Sequence, residues 1–132
     1  MAGVIPNVEE GRILEDYVRN DISLRLYSND YTPIETSTLA AFTEVAGGGY
    51  AAITLNDAEW VVTPGAPSVA EYAQQTFTFT GATTAPGTIY GYYLVDIVTG
   101  LLIGAERFSG SVAPFTPAAT STIKITPHVE AS

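Results

Sequence analysis

Few side chains in this sequence have the type and spacing that chemistry requires. His128 is the only histidine; beside a hydroxyl and steered by a third group in a closed cleft it would serve as a general base, yet it follows the last strand pattern and reads as part of a frayed tail. Glu71, Asp96 and Glu106 fall within strand patterns. Two such carboxyls about 5 to 9 Å apart across a sugar cleft would hydrolyse a glycosidic bond, but solvated strand positions are the simpler account. Asn56, Asp57 and Glu59 offer oxygens to calcium without the remaining ligands or spacing of a calcium loop, and a turn between two strands explains them. Gly47, Gly48 and Gly49 are followed by no Lys and by a strand rather than a helix, so they read as a turn ahead of Tyr50 and not as a phosphate cradle. There is no cysteine, which removes disulfides, thiolate catalysis and cysteine-ligated zinc. No catalytic residue, cofactor or metal ligand is assigned, and the chain is read as a non-enzyme.

The aromatic residues carry more. Eight Tyr, five Phe and one Trp suffice for an interface or for a platform on which sugars stack. Trp60, Phe77 and Phe79 read as core filling. Tyr90 and Tyr92 lie on whichever hairpin face is not core, and their hydroxyls tolerate the partial wetting of a contact edge.

These residues sit in a chain of 132 residues, one domain by length, able to bury roughly two-thirds of its extended surface. Fourteen acidic against five basic residues give a formal charge of -9, which repels phosphate backbones and anionic lipid and argues against nucleic acid or a membrane surface as partner. Charged residues are 14% of the chain, against roughly 25% in an average domain, so little surface is committed to solvation. No apolar run approaches the ~20 residues of a membrane span, and the amino-terminal residues lack the cationic start and apolar run of a secretory signal.

The positioning elements divide into an amino-terminal unit, residues 1–20, and a β domain, residues 21–132. Met1 to Val8, with Val4 and Ile5, reads as an extended arm. Glu9 to Asn20 has helical spacing, with Ile13, Leu14, Tyr17 and Val18 on one face that must dock on something. Beyond Asp21, short runs rich in Thr, Val, Ile, Tyr and Phe alternate with Gly, Pro, Asn and Asp. Strands are expected at 23–28, 50–55, 59–63, 68–80, 88–96, 101–108 and 120–126, with 35–45 a loop or helical turn. About seven antiparallel strands with one short helix describe a mainly β sandwich or barrel. In the hairpin 88–108, alternation places Ile89, Tyr93, Val95 and Ile97 on one face and Tyr90, Tyr92 and Leu94 on the other. Apolar residues on both faces call for a second cover, read here as assembly.

The runs LRLYSNDYTPIETSTLAAFTEVAGGGYAAITL, WVVTPGAPSVAEYAQQTFTFTG, TIYGYYLVDIVTGLLIGAERF and TIKITPHV, spanning residues 22 to 129, resemble small virion structural proteins of tailed bacteriophages. The resemblance implies a β-rich particle component made in the host cytoplasm, in its most specific form a capsid decoration or cement subunit. Such subunits are often trimers at local three-fold positions, which implies a homo-oligomer resting on the major capsid protein or other virion proteins. The contact surfaces expected are the arm with Val4 and Ile5, the helix face of Ile13, Leu14, Tyr17 and Val18, and the hairpin with Tyr90 and Tyr92. A receptor- or carbohydrate-binding tail or fibre knob, with Tyr90, Tyr92 or Trp60 as platform, is the alternative. Removing residues 1–20 is expected to weaken particle binding and leave the β domain folded.

Overall fold

A computed structural model describes residues 6–109 and 114–131. Val4 and Ile5 lie outside the described residues. The fold is mainly β. A helix α1 (Asn7–Tyr17) precedes strands β1 (Ile22–Tyr27), β2 (Ile53–Leu55), β3 (Val61–Thr63), β4 (Ser68–Glu71), β5 (Gln75–Thr78), β6 (Gly91–Asp96), β7 (Leu102–Arg107), β8 (Thr122–Ile125) and β9 (His128–Ala131). They form three antiparallel sheets: β2-β1-β6-β7, β3-β4-β9 and β5-β8.

The four-stranded sheet is the centre of the molecule. Leu24 and Leu26 of β1 stand beside Leu94 and Tyr92 of β6, and this face packs against Ala70 and Tyr72, the Phe77 and Phe79 pair, Ile123 and Ile125, and Leu14 and Val18 of the helix. The arrangement is sandwich-like, one large sheet facing two small ones. Phe77 and Phe79 point inward while Thr76, Thr78 and Thr80 are exposed, as their alternation requires.

The opposite face of the large sheet is covered from within the chain. Residues 28–45 fold back along β1, with Ser28 donating to the Thr43 carbonyl and Val45 to that of Leu26, and lay Phe42 on Tyr93 (4.8 Å between ring centres, 12° between planes) and edge-on to Tyr27 (5.0 Å). Residues 39–41 make one 3₁₀ turn, within the segment expected to be a loop or helical turn. Every residue of β6 is thereby buried. The expectation that the hairpin needs another copy of the chain as its lid is therefore corrected: Tyr92 and Tyr93 are each 2% exposed inside a single chain.

Two phase changes account for this. Ile89 belongs to the same core as Tyr92 and Leu94, and Tyr90 to the same side as Tyr93 and Val95, so the alternation slips at the entrance to β6. A bulge in β7 then pairs Leu94 with Gly104 but Val95 with Leu102, turning both Ile103 and Gly104 toward the main core. Gly91 has a steric reason: a β-carbon there would meet the Glu106 carbonyl and lie 2.6 Å from the Tyr27 ring.

Other boundaries also move. The helix begins at Asn7, behind Pro6, so Asn7 and Val8 are not arm; a proline ahead of the first turn presets φ for helix entry. It docks Gly11, Leu14 and Val18 on the β layers, whereas Ile13 (51% exposed) and Tyr17 (44%) remain outside. Leu14 and Val18 are thus core residues and not contact surface. Because they share one core with the strands, the helix is a layer of the β body, and a truncation lacking residues 1–20 loses part of that core. The single strand expected at 68–80 is two strands in different sheets. His128 opens β9 opposite Glu71 and is no frayed tail; Pro127, buried just ahead of it, accepts the Tyr72 N–H on its carbonyl at 3.0 Å.

Candidate interaction surface

The β6–β7 turn is held by one carboxylate. Asp96 is 6% exposed and its Oδ1 accepts from the backbone N–H of Val98 (2.8 Å) and Thr99 (3.0 Å), while Asn20 Nδ2 donates to Oδ2 at 3.0 Å. Burial pushes this carboxyl up, but the hydrogen bonds from Thr99, Asn20 and Val98 outweigh it and hold the pKa below the usual range. Gly100 closes the turn at φ 73°, the conformation the sequence assigns to it. Ile97 N–H donates to the Asp21 carbonyl, so the turn is tied to the chain leaving α1.

This bracing carries bulky apolar side chains in the open. Val98 is 73% exposed, Leu101 64% and Ile97 51%. Leu102, next in line, shares with Tyr17 and Ile34 a groove of about 400 Å³ along β7. Ile34 is 64% exposed on a tight turn fixed by Ser37, whose Oγ accepts from the Ile34 N–H at 2.8 Å and whose N–H donates to the Ile34 carbonyl. Tyr17, Ile34 and Leu102 therefore share one groove, and Ile97, Val98 and Leu101 form an exposed apolar group at the hairpin tip, just ahead of Leu102 where β7 begins. Leaving such side chains in water forgoes roughly 1.5–3 kcal/mol each, and grouped apolar exposure marks contact surfaces. Ile34, Val98 and Leu101 were missed as surface. The signal was present, since Ile-Val and Leu-Leu flank a Thr-Gly turn where polar residues are usual.

The other candidates disperse. Asp96 is the turn brace, not a solvated strand position. Glu106 lies beside Tyr92 in the β6–β7 register, with its Oε2 3.4 Å from His128 Nε2; Tyr92 Oη is 3.5 Å from His128 Nδ1. This carboxylate, imidazole and phenol form a line, but burial, with Glu106 adding to it, pushes the Tyr92 phenol well above its usual range, opposite to what an activated nucleophile needs. Asp96 and Tyr92 are four residues apart on β6, about 13 Å, so the three carboxyls do not share a cleft. Glu71 is exposed across from His128. Asn56 caps the 3₁₀ turn 57–59 by accepting from Ala58 N–H, as a turn residue does. Gly47, Gly48 and Gly49 all have positive φ, and a β-carbon on Gly48 would lie 2.7 Å from the Gly81 carbonyl, so they form a turn seated against residues 80–84. Among the described residues no group of three His, Asp or Glu side chains could hold a metal, and no helix is long and apolar enough to cross a membrane.

The proposed stacking platform is likewise separated. Tyr92 faces the main core, Tyr90 lies on the other side of the sheet beneath the Arg107 guanidinium (5.1 Å), and Trp60 packs edge-on to Tyr72 at 5.3 Å. Of the eight residues expected to make contacts, Ile13 and Tyr17 are exposed, Tyr90 is half-buried, and Leu14, Val18 and Tyr92 are enclosed. Compared with protein-family models, curated proteins and solved structures, the chain matches none.

Proposed function

We propose that this chain is a non-catalytic structural protein that works by surface contact. The observation that carries the reading is the braced, exposed apolar hairpin tip of Ile97, Val98 and Leu101 on a body whose own core is already closed. A turn fixed by a buried carboxylate presents these side chains at one place, so a partner meets them with little ordering cost.

In its particular form, suggested by the resemblance of residues 22–129, the protein is a capsid decoration subunit of a tailed bacteriophage, present as a homo-oligomer on the shell, with the hairpin tip against the major capsid protein. Many identical sites per particle let modest contacts accumulate. The test is quantitative mass spectrometry and cryo-microscopy of purified particles carrying either the native chain or Val98→Asp/Leu101→Asp. The native chain is expected at a regular copy number per shell and the variant at strongly reduced occupancy. Absence of the native chain from purified particles refutes the reading.

A further inference from the structure

The solvent side of α1 carries a charge pattern that matches itself in reverse. Along the outward face run Glu9, Arg12 and Asp16, alternating in sign at the spacing that keeps residues on one side of a helix, and Arg19, two residues past the helix end, continues the alternation beside Asp16. All four are exposed; Arg12 bonds Glu9 at 3.0 Å and Arg19 bonds Asp16 at 3.1 Å within the chain. Two such helices laid antiparallel and centred on Leu14 bring Arg12 to Asp16 of the other copy, twice over by symmetry, and set Glu9 at the end of the other helix, which Arg19 follows, so every charge meets its opposite. In that same register Ile13 of one copy falls between Ile13 and Tyr17 of the other, on one flank of the pair. Together with Val8, which lies on the other flank, these are the large apolar side chains that the helix leaves exposed after docking.

We infer that α1 is a two-fold contact between copies of this chain, an antiparallel pair held by the Glu9–Arg19 and Arg12–Asp16 bridges around Ile13 and Tyr17. The occupant is a second copy because the pattern is self-complementary. A partner surface of either single sign would meet repulsion at half of the positions, and with 14 acidic residues against five basic ones, concentrating two Arg on this stripe is what allows an acidic chain to approach itself. Glu15 lies on the opposite flank, where it stays in water. A pairing through three turns of helix is small, so the dimer is weak in solution and gains from confinement on a surface. It joins copies in pairs and does not close a trimer. The inference deepens the proposed self-associating structural role and rests on it only for its biological use.

Sedimentation velocity of the full chain over a wide concentration range tests it, with circular dichroism to verify folding. The native chain is expected to show a concentration-dependent monomer–dimer equilibrium that weakens with added salt. Glu9→Arg/Asp16→Arg makes the stripe wholly positive and Arg12→Glu/Arg19→Glu wholly negative; each alone is expected to dimerise at least about tenfold more weakly, and a mixture of the two to recover association. Recovery on mixing cannot come from an unfolded helix. A native chain that stays monomeric throughout overturns the inference. So does an oligomer, trimeric or otherwise, that is indifferent to both charge reversals, but that result leaves the structural role standing; absence of the protein from particles refutes the role and leaves the helix pairing to be decided by sedimentation.

Discussion

Replacing Asp96 tests whether the exposed hairpin tip is built or incidental. The carboxylate receives Val98 and Thr99 N–H on Oδ1 and Asn20 on Oδ2 at 6% exposure. In Asp96→Ala the two turn amides turn to water, whereas the bond to Asn20 is lost outright, about 1.5–3 kcal/mol for a charge-assisted bond, with a further ~1 kcal/mol for the loosened turn. The expected sum is about 3 kcal/mol, or about 10 °C in Tm for a domain of this size. Asp96→Asn keeps Oδ1 for the turn but sets an amide NH₂ against Asn20, and is expected to cost about 1–2 kcal/mol. Adding Asn20→Asp restores a donor opposite an acceptor and should bring stability back to within about 0.5 kcal/mol of the native chain. The pH dependence has a definite sign. A carboxyl held below its unfolded value stabilises fully above that value, near 3.9, and the contribution disappears as pH falls through the folded pKa. The gap between the native chain and Asp96→Asn should therefore be constant from neutral pH to about pH 5 and close in stronger acid. Thermal melts by circular dichroism from neutral pH downward read both effects. Asp96→Ala melting within about 2 °C of the native chain, or a gap that is unchanged in acid, refutes the bracing argument.

Other perturbations have equally direct readouts. Leu14→Ala opens a cavity between helix and sheets and should cost about 2–5 kcal/mol in urea titration, and removal of residues 1–20 should lower stability further rather than spare the β body. Gly91→Ala forces a methyl onto the Glu106 carbonyl and the Tyr27 ring; a loss of about 1–3 kcal/mol or more is expected, whereas Gly100→Ala, with nothing within 4 Å, pays only for its positive φ, about 1 kcal/mol. Thr120 holds φ 65°, uncomfortable for a β-branched residue; Thr120→Gly should raise stability by about 0.5 kcal/mol once the extra freedom of the unfolded glycine is counted, seen as a small rise in Tm.

Most of the architecture is legible from residue types, and the misses have local causes. Thr76 to Phe79 alternate cleanly because that strand buries one side, whereas β1, covered on both faces, still shows its main-core side in Leu24 and Leu26. The break within 68–80 is also written in the chain: Ala70 and Tyr72 are inward, so unbroken alternation would bury Thr76 and Thr78 and expose Phe77, and the conflict requires an interruption between Tyr72 and Gln75. The slip between Ile89 and Tyr92 has no comparable sign, since all of those residues are apolar and either phase looks acceptable. The same ambiguity hid the covering role of residues 28–45. Phe42 lacks a periodic neighbourhood, and nothing short of the fold tells that it stacks on Tyr93. On α1, Ile13 and Leu14 are adjacent and cannot share one direction, but sequence does not say which of them turns inward. For the surface, the apolar turn around Thr99 and Gly100 was readable and the groove that joins Ile34 with Tyr17 and Leu102 was not, because it depends on contacts between distant segments.

The two small sheets borrow their last strands from far along the chain: β5 waits for β8, and β4 waits for β9. During synthesis the four-stranded sheet has all its members once residue 107 has emerged, but its main greasy face stays open until residues 122–131 arrive. Until those residues pair with β5 and β4 the roof over that face is incomplete, so the late strands are the stitch that closes it.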